Sequence, residues 1–174
     1  MGDIFRKGGF AADPRTRLAD DEPLGNHAFF VSKARFLAER EAVLARGADL
    51  GVMLDPADRL DDIVADLPAI AAIAVHFPKF GDGRGYSLAR LLRDRHGWQG
   101  ELRAYGDVLW DQLEALCRVG FDCIEIGDGP TRARLAVGRL PESAVRYQPV
   151  GRGFQAIPGR PWVSHSYKDV WCGA

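Results

Sequence analysis

Residues 70–105 read IAAIAVHFPKFGDGRGYSLARLLRDRHGWQGELRAY, and this stretch decides the fold. Residues 70–77 form an apolar run without alternation, the pattern of a strand covered on both faces. A glycine-studded loop at 81–85 follows. It opens a helix whose inward residues are Leu88, Leu91 and Leu92 and whose stop is Gly97. Residues 101–105 then supply a shorter, more polar strand. Strand, helix and strand in this order predict a parallel pair joined by a right-handed crossover.

The same rhythm extends in both directions. Upstream, Ser32 is a good N-cap for a first helix carrying Phe36, Leu37, Val43 and Leu44, with Gly47 as its stop. Residues 50–54 read as a buried strand. Asp55-Pro56 then offers an N-cap and a first-turn proline to a helix with Leu60, Ile63, Val64 and Leu67 inside, ended by Pro68. Downstream, Asp107 is placed to cap a helix bearing Leu109, Leu113, Leu116 and Cys117. Gly120 suits a left-handed C-cap, with Phe121 folding back on the last turn. Residues 123–126 are a fourth strand, and a weaker helix covers 132–140 and resumes after Pro141.

Residues 1–28 read as an irregular lead-in with a short hairpin at Gly8-Gly9, residues 29–149 as a single α/β domain, and residues 150–174 as an irregular, Gly- and Pro-rich tail. Four alternations predict a mostly parallel sheet flanked by helices. At 174 residues the chain is too short for a complete eight-fold barrel of about 250 residues. An open doubly wound sheet is therefore expected, with a half-barrel-like arrangement as the alternative.

Composition narrows the function classes. The formal net charge of −1 gives no electrostatic basis for nucleic acid or an anionic membrane as partner. Three cysteines, Cys117, Cys123 and Cys172, without CxxC spacing, supply neither a disulfide framework nor a four-thiolate iron–sulfur site. No apolar run has the length of a membrane span, and MGDIFRKGGF lacks the apolar region of a signal peptide, so a cytoplasmic location is expected. No cofactor and no metal is expected. A homodimer is the base-rate expectation.

Ligands of open α/β sheets gather at the carboxyl ends of the strands. There the loop FPKFGDGRGYS frees the backbone at alternate glycines, opens a helix N-terminus and carries two cations. Lys79, Gly83, Arg84, Gly85, Tyr86 and Ser87 are thus an anion-binding candidate; Lys79, Asp82 and Asp107 are the catalytic candidates, with Asp107 or Asp82 as the acid–base group. The alternative is structural: Asp82 caps the helix and Arg84 pairs with Asp82 or Asp107. The loop matches neither the Walker A nor the dinucleotide fingerprint. Asp107, Asp111, Asp122, Glu125 and Asp128 form an acidic set better read as caps and first-turn acids than as a metal site. His76, near a strand end, reads as a satisfied buried histidine, and Cys117 as core. Trp110 lies off the inward stripe of its helix, where an exposed ring would suit a partner surface.

Residues 77–126, FPKFGDGRGYSLARLLRDRHGWQGELRAYGDVLWDQLEALCRVGFDCIEI, carry three blocks: FPKFxDGRGYSxARxLR, GELRAxGDVLxDQ and RxGFD. They resemble a bacterial domain-of-unknown-function family whose members are labelled as oxidoreductases involved in sulfite reduction. The resemblance implies an accessory role in assimilatory sulfite reduction, with the reductase, its electron donor or a sulfur oxyanion as partner. An enzyme acting on a small anionic or phosphorylated substrate at the GDGRG loop is the alternative. The resemblance also marks Arg90, Arg93, Arg103, Asp111, Gln112, Arg118 and Asp122 as motif residues. Tyr105 stands where the family pattern has a small aliphatic residue, and Trp110 where it has an arginine.

Overall fold

The computed structural model describes residues 3–6, 9–46 and 49–141 with their side chains, and the backbone of three short strands beyond them. Five parallel neighbours form the centre of one eight-stranded sheet: β4 (Phe29–Ser32), β5 (Leu50–Leu54), β6 (Ala72–Phe77), β7 (Glu101–Gly106) and β8 (Cys123–Glu125). The hairpin β1 (Asp3–Arg6) and β2 (Gly9–Ala12) adds antiparallel to β8, and β3 (Thr16–Arg17) adds parallel to β4. The order is β2-β1-β8-β7-β6-β5-β4-β3. The lead-in thus supplies three strands where one short hairpin is expected. Strand β4 precedes the Ser32 cap, which the sequence reading passes over.

The two edge strands, β2 and β3, are consecutive in the chain. Four Cα steps from Ala12 to Thr16 reach at most about 14 Å, whereas eight strands laid flat would set their edges about 34 Å apart. The sheet must therefore curl until its edges nearly meet. Of the two arrangements open at the sequence level, the half-barrel is the one found.

Curling separates the two faces. The convex face carries Val31, Val52, Leu54, Ile73, Val75, Phe77, Leu102, Ala104 and Ile124, all within one buried cluster with the helices' apolar residues. Those helices are α1 (Lys33–Ala38), α2 (Arg40–Leu44), α3 (Arg84–Arg90), α4 (Leu113–Arg118) and α5 (Gly129–Ala136). Phe36, Val43, Leu88, Leu113, Leu116 and Leu135 are their contributions, joined by Leu92 from the turn after α3. The concave face has its own small cluster of Phe30, Ala72 and Ala74, flanked by Met53 and Tyr105, with no helical residue in it. Small residues make room inside the curl: a Cβ on Gly51 would meet the Phe30 ring at 2.3 Å.

Several local expectations change. Ser32 caps α1 through Arg35 N as read, but Gly47 lies outside the described residues. Asp55 caps no helix: Asp55 N donates to Asp58 Oδ2, and Leu60–Asp62 and Val64–Ala69 are 3-10 segments, with Pro68 inside the second. An i, i+3 stripe suits that tighter helix equally well, so the apolar pattern does not separate the two. Helix α3 runs on into a π-helical turn, Leu91–Arg95, and Leu91 sits at the stripe's margin, 37% exposed, rather than inside it. Gly97 and Gly120 take positive φ as C-terminal stops, and Phe121 N donates to Leu116 O. The last helix starts earlier than expected, at Gly129, because Asp128 accepts from Thr131 N. Beyond it, β9 (Val145–Arg146), β10 (Ala156–Ile157) and β11 (Arg160–His165) pair as a separate antiparallel sheet, β9 where a helix is expected to resume and the other two within the expected irregular tail. No helix among the described residues is long and apolar enough to cross a membrane.

Candidate functional site

The glycine loop and the acidic turn meet at the carboxyl end of the sheet, and they meet through main chain. Asp107 does not cap α4. Its Oδ2 accepts from Phe80 N at 3.0 Å, while Gln112 Nε2 donates to Phe80 O at 2.9 Å. Gln112 Oε1 also accepts from Leu109 N, which starts the turn Trp110–Gln112 ahead of α4. Two side chains therefore hold both polar groups of one peptide residue. Asp82 N donates to Lys79 O, closing a turn with Phe80 near its tip. The Phe80 ring is 45% exposed on it. Gly106 permits this junction: its φ is +106°, and a Cβ there would meet Phe77 O at 2.4 Å.

The anion-binding candidates divide. Arg84 turns back onto Asp82, with Nε to Oδ1 at 3.0 Å and Nη2 to Oδ2 at 2.7 Å. Those bonds hold the Asp82 carboxyl down to about 2, and the same partner raises the guanidinium. Gly85 lets α3 close on β6, since a Cβ would lie 2.7 Å from the Phe77 ring. Tyr86 packs edge-on against Phe77. Its hydroxyl is raised by burial, opposed by a bond with Gln112 and reinforced by the charge of Asp111. Gly83 and Ser87 are exposed, as is Lys79, which has no ion-pair partner among the described residues.

The remaining motif residues serve two other places. Arg93 ties loop ends together: Nε to Gly120 O, Nη1 to Trp98 O and Gly100 O, and Nη2 to Asp122. Asp122 also accepts from Leu102 N; burial raises its carboxyl against the pull of that bond and of Arg93. Arg90, Arg93, Arg118 and Asp122 line one cleft of about 200 Å³. Arg103 is the surprise. It is wholly buried inside the curl, against the expectation raised by its polar strand. It forks onto Asp13, reaches Glu101 at 2.9 Å, and lies 4.8 Å over the Phe30 ring. Burial works against its charge, and the Asp13 and Glu101 bonds more than restore it, so the pKa is raised. Arg6 and Arg15 also bind Glu101. Trp110 is half-buried against the core with Arg134 above it, rather than openly displayed.

A row that no motif signalled crosses the concave face at the strands' carboxyl ends. His76 and Tyr105 are register partners on β6 and β7, and their rings stack at 4.8 Å and 13°. His76 Nδ1 lies 2.9 Å from Asp55 Oδ1, just past β5. His76 is thus half-exposed at the rim and not a buried histidine. From β3, the Arg17 guanidinium sits 4.2 Å over the Tyr105 ring while pairing with Glu125 of β8. Burial pushes the Tyr105 hydroxyl up to about 12, the Arg17 charge opposing and nearby carboxylates reinforcing. Alternation of Glu101, Arg103 and Tyr105 against Leu102 and Ala104 is the sequence signal of this polar face. Among the described residues no three His, Cys, Asp or Glu side chains are placed to hold a metal ion.

A search of curated proteins gives no match. The family described as "Bacterial protein of unknown function (DUF934)" matches residues 51–157, which include the glycine loop, the acidic turn and the buried Arg103. The chain belongs to this family of bacterial proteins.

Proposed function

We propose that this protein is an accessory protein of assimilatory sulfite reduction that docks onto the reductase or its electron donor through the Phe80 turn. The pathway comes from the resemblance of the three motif blocks. The docking mode rests on one observation: an exposed phenylalanine on a turn whose N–H and C=O are both gripped by motif side chains, Asp107 and Gln112. An aromatic ring left in water forgoes about 25 cal/mol per Å² of apolar surface. Holding its backbone fixed lowers the ordering cost of binding, which is how anchor residues gain affinity. Lys79 beside it, exposed and without a carboxylate among the described residues, suits a partner pocket rimmed by acids.

The test is a binding titration against purified sulfite reductase and against its flavoprotein donor. Phe80→Ser should weaken binding to one of them at least about tenfold, the scale of an anchor truncation. If neither protein binds the wild type, the docking role is wrong. A second reading, an oxyanion held by the loop itself, is favoured by the same unpaired Lys79. It requires sulfite or phosphate binding that Lys79→Met abolishes.

A further inference from the structure

We propose that the rim of the half-barrel at the carboxyl ends of its strands is a binding site for a small oxyanion or carboxylate, anchored by Arg17 with Tyr105 and His76 beside it. Strand ends are where α/β folds place their ligands, because side chains of several strands converge there on one open edge. Here four neighbouring strands and the β3 edge deliver Asp55, His76, Tyr105, Glu125 and Arg17 to one continuous patch.

The hydrogen-bonding inventory points to an acceptor-rich ligand. Arg17 uses Nη2 on Glu125, and its Nε and Nη1 meet no protein acceptor among the described residues. The Tyr105 hydroxyl and His76 Nε2 are likewise without a protein partner among them. Deeper in the curl, the buried Nε–H groups of Arg6, Arg15 and Arg103 also lack acceptors. The interior is therefore short of acceptors, and buried donors left unmatched are costly.

Along the curl, Arg6, Arg15, Arg17 and Arg103 interleave with Asp13, Glu101 and Glu125 in one chain of ion pairs. Asp49, which also reaches Arg15, is largely exposed at the opposite end of the strands. At the rim Glu125 pairs with Arg17, with Arg103 at 3.6 Å, Asp58 pairs with Lys33, and Asp55 lies 2.9 Å from His76 Nδ1. A cleft of about 400 Å³ opens on one side of Arg17, between β3 and β8, lined by Asp3, Asp13, Arg15, Glu125 and Arg132 among others, while Tyr105 and His76 flank Arg17 outside that lining. Tyr105 brings a hydroxyl and a stacking surface to the anchor, between the His76 ring and the Arg17 guanidinium.

The test is titration with inorganic phosphate, sulfate, sulfite and malate, read by calorimetry and by the His76 ring resonances. At least one probe should bind in the millimolar range or better and move the His76 signals. Arg17→Met should weaken that binding about ten- to a hundredfold, as loss of a charge-assisted pair implies. Tyr105→Phe, which keeps the stacked ring, should weaken it severalfold without moving the unfolding midpoint. Absence of any response to all four probes overturns the site, as does binding that survives undiminished in both variants. The Phe80 turn plays no part here, so either reading can fail while the other stands.

Discussion

Arg103 shows what one side chain does in this protein. A guanidinium with no exposure is tolerable only because Asp13 takes it in a two-pronged bond and Glu101 takes a further nitrogen. Arg103→Ala would strand those carboxylates inside the curl and should lower unfolding free energy by about 3–5 kcal/mol, measured by urea denaturation. Its register partner Cys123 is held up to about 12 by burial and the Glu101 charge, with Arg103 opposing. In a Cys172→Ser background Cys123 should therefore resist alkylation at pH 8 until the protein unfolds, which a timed mass measurement decides. Asp82 behaves in the opposite sense. Its folded pKa, about 2, lies below the ordinary 3.8. The stabilising share of its bond to Arg84 is thus complete above the ordinary value and vanishes as pH falls through about 2. A carboxyl-carbon NMR titration should find that low midpoint in the wild type, returning toward the ordinary value in Arg84→Ala. At this scale the sequence is half legible. The alternation at 101–105 announces a polar face, but nothing in it says that this face points into a curl rather than to water.

At the scale of elements, the motif blocks turn out to be joinery. Gln112 starts one element and restrains another, so Gln112→Ala removes a bond to Leu109 N and one to Phe80 O. The expected cost is about 1–3 kcal/mol, with faster hydrogen exchange at Phe80 in Asp107→Ala, where the amide's own acceptor is gone. The parallel strands β5, β6 and β8 follow from apolar runs punctuated by Gly and Pro, and β7 from a shorter, more polar run; the structure places all four within a residue or two. Helices fared less evenly. Residues 60–67 satisfy an amphipathic stripe of eight residues, too short to distinguish 3.6 from 3.0 residues per turn. The GDGRG loop looked built for an anion because alternating glycines suggest an approachable backbone. Gly85 answers to the Phe77 ring, a packing contact between helix and strand that no spacing of glycines in the loop encodes.

For the whole molecule, closure is the organising fact. The hairpin covers the edge of β8, and the three residues after it carry Asp13 and Arg15 across to the opposite edge. Deleting residues 1–12 should expose the β8 edge as a pairing template and leave the curl unfastened. Size-exclusion chromatography should then show oligomers, and the urea midpoint should fall. Strand–helix rhythm predicts the parallel centre but not this arrangement, because the pairing of β1 with β8 joins residues 4 and 125 and leaves no local trace.

That long pairing bears on how the protein is made. On a ribosome the hairpin emerges well before its partner strand, which follows more than a hundred residues later. Until then Ile4 and Phe5, both nearly fully covered in the finished molecule, have no surface to rest on. Non-local contacts of this kind slow folding and prolong exposure of sticky segments. Vectorial synthesis thus presents the fastening before there is anything to fasten, and completion waits on translation past β8.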